Sequence, residues 1–176
     1  MRIISGKLRG LRLNPPSNLP VRPTKDMAKE ALFNILNNIV DFEHTHVLDL
    51  FSGTGSLSVE FASREVPYIV SVDKDEGCYR YLKSISEQYE LTAIYPKKRD
   101  VLKFLKEETE KYDLIFADPP YDLPQIPEIP QLVFQRQLLN EGGLLIVEHS
   151  SLKKLDSHAR FTEQRRYGYS SFSFFR

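Results

Sequence analysis

The feature that most constrains this chain is the alternation of short apolar runs with longer stretches of helical periodicity. Val47-Leu48-Asp49-Leu50-Phe51, Tyr68-Ile69-Val70-Ser71-Val72-Asp73, Thr92 to Tyr95, Tyr112 to Ala117 and Leu144 to Val147 have the length and residue types of buried strands. Helical spacing fills the gaps. One helix runs from the Ser52-Gly53-Thr54-Gly55 loop to Ala62. Another carries Cys78, Tyr81, Leu82, Ile85 and Tyr89 on one face, and a third spans Val101 to Lys106. The last holds Ile129, Leu132, Val133, Leu138 and Leu139, with Gly142-Gly143 as its stop. Ahead of the first strand, Thr24 reads as the N-cap of a helix with Asp26 in its first turn, where the dipole favours an acid. Its apolar face is Ala28, Ala31, Leu32, Ile35, Leu36 and Ile39.

Parallel strands need long crossovers, and the intervening helices supply them, so the pattern predicts an α/β domain with a mostly parallel sheet covered on both faces. Pro96 should limit the third strand. Two final segments meet near Gly168 as a hairpin and bring the strands to seven. On such sheets ligands bind beyond the carboxyl ends of the strands, where strand order reverses. The residues of interest therefore sit at strand ends.

Composition narrows the classes. A chain of 176 residues fits one domain and buries a core without staples. The single cysteine, Cys78, excludes a disulfide framework and reads as a core residue, and no Cys/His cluster has metal-ligand spacing, so no metal is expected. The opening residues carry no signal-peptide pattern and no apolar run approaches membrane-spanning length; a cytoplasmic protein without a membrane role is expected, with a monomer as the default. The 24 basic and 24 acidic side chains cancel, but unevenly. Residues 1–30 hold Arg2, Lys7, Arg9, Arg12, Arg22, Lys25 and Lys29 against Asp26 and Glu30, a local +5 that leaves −5 on the rest. Ile3, Leu8, Leu11 and Leu13 alternate with those cations around Gly6 and Gly10, which predicts a basic hairpin arm over residues 1–22 on a domain of residues 23–176.

The first strand ends in Asp49-Leu50-Phe51-Ser52-Gly53-Thr54-Gly55-Ser56-Leu57. Gly53 and Gly55 let backbone approach a ligand, and the helix that follows offers free amides to a carboxylate. Asp49 can accept from a ligand ammonium, directly or through water. A dinucleotide fingerprint would place a third glycine where Ser58 stands. Asp73 ends the second strand 18 residues past Gly55, where an acid can take both hydroxyls of a ribose. Asp100 follows the third strand and either binds an adenine amine or caps the next helix; Val101 and Lys74 would wall the ring. The cofactor contacts expected are thus Asp49, Phe51, Ser52, Gly53, Thr54, Gly55, Asp73, Lys74, Asp100 and Val101.

Asp118-Pro119-Pro120-Tyr121 follows the fourth strand. An exocyclic base amine is a poor nucleophile because its lone pair is delocalised into the ring. Two acceptors on its N–H bonds, the Asp118 carboxylate and the Pro119 carbonyl, draw the nitrogen toward tetrahedral geometry. Consecutive prolines hold that carbonyl still. Such fixed dipoles act on the charge that develops as a sulfonium methyl group transfers. Tyr121 offers a ring on which the base can stack. Asp-Pro also opens ordinary turns, but this one shares a sheet with Asp49, Gly53, Gly55 and Asp73. His149, ending the fifth strand after Glu148, reads as structural more readily than as a substrate contact.

These stretches together resemble the bacterial RsmD-type methyltransferases, which modify the N2 amine of a guanine in 16S ribosomal RNA. The resemblance runs through Met1-Arg2-Ile3-Ile4-Ser5-Gly6-Lys7-Leu8-Arg9-Gly10, Val21-Arg22-Pro23-Thr24, Glu30 to Leu36, the Asp49 to Leu57 loop, Asp73, Asp118 to Tyr121, and Tyr167-Gly168. It implies a Rossmann-like class I methyltransferase fold, S-adenosyl-L-methionine as donor and a small-subunit assembly particle as substrate. Arg2, Lys7, Arg9 and Arg12 would then grip RNA phosphates, with Arg22 and Thr24 beside the target base. The alternatives are an adenine or cytosine amino-methyltransferase of DNA, which would need a recognition segment this length does not accommodate; a protein-glutamine methyltransferase, which would carry Asn in place of Asp118; and a non-catalytic RNA-binding assembly factor, which would lose Asp118 or the glycines.

Overall fold

The computed structural model describes residues 1–20 and 26–176. The expected cap at Thr24 and the expected substrate contacts Arg22 and Thr24 lie outside the described residues. The elements are α1 (Asp26–Leu36), β1 (His46–Leu50), α2 (Ser56–Ser63), β2 (Tyr68–Asp73), α3 (Glu76–Gln88), β3 (Ile94–Lys98), α4 (Val101–Glu107), β4 (Tyr112–Ala117), α5 (Glu128–Gln135), β5 (Leu139–Ser150), β6 (Phe161–Tyr167) and β7 (Ser170–Phe175).

They form one seven-stranded sheet in the order β3-β2-β1-β4-β5-β7-β6. The first five strands are parallel; β7 runs antiparallel to β5, and β6 antiparallel to β7. This is the α/β class that the alternation demands. Strand order reverses between β1 and β4, whose partners are Val47–Leu114, Leu48–Ile115, Asp49–Phe116 and Leu50–Ala117.

Because successive strand side chains point to opposite faces, the apolar runs feed two cores. Val47, Ile69, Leu114, Phe116 and Ile146 pack with α1, α2 and α3, while Leu48, Leu50, Val70, Ile115, Leu145 and Val147 pack with α4 and α5. Asp49 shares a face with Val47 and is therefore buried beneath α2.

Two boundaries differ from expectation. β3 runs through Pro96, which pairs with Ser71. On an edge strand the missing proline N–H can face outward, so no ladder bond is lost. α5 ends at Gln135, and Leu139 already belongs to β5. A chain reversal at Gln137 (φ 55°) does the stopping, while Gly142 (φ 74°) lies inside β5 where the pairing register with β4 shifts. Those glycines mark a strand irregularity, which sequence alone does not separate from a helix stop.

The N-terminal hairpin is present, with Arg2 bridging Arg12 and Ile3 N donating to the Leu11 carbonyl at 2.9 Å. Ile3 and Leu13 are buried in the core of α1 and α2.

Candidate active site

The glycine loop leaves β1 at Phe51, whose φ of 59° is left-handed and costs roughly 1–3 kcal/mol for a non-glycine residue. Ser52 N reaches the Val72 carbonyl of β2 at 3.1 Å. Gly53 N donates to Asp73 Oδ2 at 2.8 Å, and Asp75 N to Asp73 Oδ1 at 2.9 Å. Asp73 therefore moulds the loop, while Asp75, not Asp73, caps α3 through the Cys78 amide. Carboxylate oxygens have further lone pairs, so Asp73 retains capacity for a ligand hydroxyl. Gly55 holds φ at 81°, and a Cβ there would meet Leu82 Cδ1 at 2.3 Å. Any other residue there would have to push the Leu82 side chain aside and hold a left-handed backbone.

Asp49 is 2% exposed. Its Oδ2 accepts the Ser58 hydroxyl at 2.5 Å, and Ser58 Oγ lies 2.7 Å from Ser71 Oγ. Burial pushes the Asp49 carboxyl up to about 7; Ser58 pulls it back, and the nearby Asp73 charge pushes it further up. Asp100 caps α4 by accepting from Lys103 N at 3.0 Å, Val101 is buried in the second core, and Lys74 is exposed.

Asp118 N donates to the Leu50 carbonyl at 3.2 Å, which puts the start of the Asp-Pro-Pro-Tyr motif against the end of β1. The motif and the glycine loop thus meet at the reversal of strand order. Pro119 is buried, Pro120 exposed, and Leu123 N closes a turn onto the Pro120 carbonyl at 2.9 Å. The Tyr121 hydroxyl lies 3.0 Å from Glu148 Oε1 and 2.5 Å from Ser170 Oγ. Burial, with Glu148 close by, pushes that phenol up to about 12. It stays protonated, so the side chain offers a fixed neutral ring.

The arm touches the same region: Met1 Sδ is 4.0 Å from Thr54 Oγ1. Two of its four described cations are engaged within the protein. Arg2 pairs with Glu30 (2.6 Å) and Asp26 (3.7 Å), and Lys7 with Glu65 (2.7 Å). Arg9 and Arg12 are exposed and make no ion pair among the described residues. An open depression of about 310 Å³ lies beside the arm, lined by Met1, Arg2, Arg12, Asn14 and Asp26 and by none of the motif residues.

Sequence reasoning missed what fastens the arm. Glu60 of α2 is fully buried and accepts from Ile4 N (2.8 Å), Ser5 N (3.0 Å) and Arg64 Nε (3.0 Å). Lys29, 1% exposed, donates to the Arg2 carbonyl at 2.5 Å and lies 3.6 Å from Glu60 Oε2. Burial outweighs Glu60 and pushes its ammonium down. The one available signal was a glutamate between Val59 and Phe61 in a short apolar helix. Glu148 and Ser170 as partners of Tyr121 were also missed. His149 is fully buried, with Nε2 2.7 Å from Ser173 Oγ and Nδ1 2.8 Å from the Ser150 carbonyl, a structural role. Burial pushes the Cys78 thiol up to about 12, as befits a core residue. Among the described residues no group of His, Cys, Asp or Glu is arranged to hold a metal, and no helix is long and apolar enough to cross a membrane.

A parallel sheet extended by an antiparallel hairpin, with the glycine loop and the Asp-Pro-Pro-Tyr motif together at its reversal point, defines a class I methyltransferase. A model of the family described as Conserved hypothetical protein 95 matches residues 1–176, and the chain belongs to that family, the RsmD-type methyltransferases. It is 30% identical over 171 residues to "Ribosomal RNA small subunit methyltransferase D" of Haemophilus influenzae, covering 92% of this chain and 85% of that protein. It is 29% identical to the protein of the same name from Buchnera aphidicola, over 88% of this chain and 79% of that one. The solved structure of YhhF from Escherichia coli superposes with a TM-score of 0.86 at 24% identity, covering 99% of this chain and 96% of the other, a likeness of fold.

Proposed function

We propose that this methyltransferase acts on the N2 amine of a guanine in 16S ribosomal RNA within a small-subunit assembly particle, with S-adenosyl-L-methionine as donor. The observation that carries the reading is the Asp118-Pro119-Pro120-Tyr121 motif held against Leu50 at the end of β1, beside the glycine loop. The names of the Haemophilus and Buchnera relatives support the ribosomal RNA class.

Acids at the ends of three adjacent strands, Asp49, Asp73 and Asp100, suit a ligand bearing an ammonium, a vicinal diol and an aromatic amine. The loop Phe51, Ser52, Gly53, Thr54 and Gly55 suits its carboxylate, with Lys74 and Val101 as walls for its aromatic ring. When bound, S-adenosyl-L-methionine supplies an electrophilic sulfonium methyl group. The chain's own part is positioning. Asp118 and the Pro119 carbonyl accept the two amine hydrogens, Pro120 stiffens the turn, and Tyr121 stacks on the base. Asp118 or water takes the proton released from the methylated nitrogen. The target base must be unstacked to reach Asp118. Arg9 and Arg12 hold the phosphates of the flanking RNA, Arg2 and Lys7 being engaged by carboxylates of the fold, and Arg22 and Thr24 act beside the target base.

The test is transfer of labelled methyl to small-subunit particles lacking the modification, beside naked 16S RNA and duplex DNA, with digestion to nucleosides. Label in N2-methylguanosine from particles is expected. Label in DNA alone would move the function to a DNA amino-methyltransferase. Asp118→Ala is expected to keep cofactor binding and lose at least about a hundredfold in turnover, the scale of removing a preorganised acceptor. Unchanged turnover would refute the proposed role of the motif.

A further inference from the structure

The tip of the β6–β7 hairpin, beside Tyr121, carries exposed groups that the proposed function leaves unused. Tyr169 is 79% exposed, although its backbone carbonyl is fixed by Ser151 N at 2.9 Å. Leu152 is 91% exposed on the adjoining turn after β5. Among the described residues Arg166, Lys153 and Lys154 make no ion pair. Arg166 Nε donates to the Gly168 carbonyl at 3.0 Å, which keeps its guanidinium at the turn. Residues 150–154 and 164–170 contain Lys153, Lys154, Arg165 and Arg166 and no acid, and only Arg165 is neutralised, by Glu163. This is a basic island on a body that is otherwise net acidic.

The island is tied to the chemistry. Ser170, the residue after Tyr169, lies 2.5 Å from the Tyr121 hydroxyl, and Lys153 Nζ donates to the Leu123 carbonyl of the motif's turn at 3.4 Å. Ser150 pairs with Ser170, so the tip stands at the carboxyl end of β5, the end of the sheet where β4 delivers Asp118. A solvent-facing tyrosine among unpaired cations suits single-stranded nucleic acid: the ring stacks on a base and the cations meet phosphates.

We propose that Tyr169, with Arg166, Lys153 and Lys154, forms a second RNA-contacting rim that receives a nucleotide flanking the target base, on the Tyr121 side of the site. The occupant is unpaired RNA of the same substrate, and the inference rests on the reading that this substrate is RNA. Tyr169 stacks on the neighbouring base once the target is unstacked. The rim sets substrate affinity and takes no part in cofactor binding.

The test compares the full-length protein with Tyr169→Ala and, separately, Arg166→Ala, both side chains being outside the core. Steady-state methyl transfer to small-subunit particles gives KM and kcat, and titration with S-adenosylhomocysteine gives cofactor affinity. KM for particles is expected to rise about tenfold for Tyr169→Ala, the size of one lost base–aromatic stack, with cofactor affinity unchanged. Tyr169→Phe is expected to restore wild-type KM, since only the ring face is used. An unchanged KM in the alanine variants, with the wild type active, overturns the rim and leaves the function standing. Cofactor affinity falling in step with KM overturns it too, because the tip would then be structural. A wild type inactive on every RNA sinks both.

Discussion

The N-terminal hairpin is fastened to the body by buried charge beside the Ser63 hydroxyl, whereas the closing hairpin is fastened by strand pairing and hydroxyls, with no buried ion pair among the described residues. In the first, Glu60 accepts two arm amides, Lys29 binds the Arg2 carbonyl, and Arg2 and Lys7 pair with carboxylates. In the second, β7 pairs along β5 and the Tyr121 hydroxyl meets Ser170. The arm is the more basic in sequence, yet much of its charge is engaged within the fold. The hairpin tip is less basic in sequence and leaves more of its charge to solvent. Net charge along a sequence is thus a poor map of the surface that meets a polyanion; the partners of each cation decide it.

The sharpest way to break this contrast is to remove the arm's anchor. Glu60→Ala leaves the Ile4 and Ser5 amides without their acceptor and the buried Lys29 ammonium without its counter-ion, although Lys29 keeps the Arg2 carbonyl, which should cost roughly 3–5 kcal/mol. Urea unfolding with linear extrapolation measures it. Glu60→Gln, which keeps an acceptor, should lose less. A loss below about 1 kcal/mol in Glu60→Ala would mean that apolar packing of Ile3 and Leu13 holds the arm, and that its charges are incidental.

The same contrast explains what was legible in the sequence. Asp49, the glycines, Asp73 and the Asp-Pro-Pro-Tyr motif could be placed because each is tied to a strand end, and strand ends follow from local periodicity. The parallel sheet and the closing hairpin followed from that pattern too. The Lys29–Glu60 pair was not legible: its members are 31 positions apart, and a charged residue on a helix ordinarily reads as solvated. Glu148 and Ser170 converge on Tyr121 only through the β5–β7 pairing, a long-range fact. Pro96 misled because a proline excludes only central strands, and β3 lies at the edge.

Asp49 is buried beneath α2 and belongs to neither hairpin, so its titration should be independent of both. Its folded carboxyl sits near 7, above the value in an unfolded chain. The folded state therefore holds a proton between about pH 4 and 7 that the unfolded state releases, and this group's contribution to stability falls as pH rises through that window. For a ligand ammonium the ionised form is the acceptor, so affinity for S-adenosylhomocysteine should strengthen up to about tenfold from pH 6 to pH 8. Calorimetric titration at the two pH values checks it. Asp49→Asn should flatten the dependence, and Glu60→Gln should leave it intact. A slope that survives Asp49→Asn would place the titrating group elsewhere.

The smallest effects should separate the cations of the arm from one another. Each phosphate contact contributes about one unit to the slope of log affinity against log salt. Arg9 and Arg12 are exposed with no ion pair among the described residues, so Arg9→Ala with Arg12→Ala should lower that slope for particles by about 2. Lys7→Ala should change it little, because Glu65 already holds the ammonium at 2.7 Å. Cofactor affinity should stay constant in all of them. If Lys7→Ala lowers the slope as much as either arginine, the Glu65 pair opens when RNA arrives. The arm would then present its charge as freely as the hairpin tip, and the difference between the two hairpins would hold only for the protein without RNA.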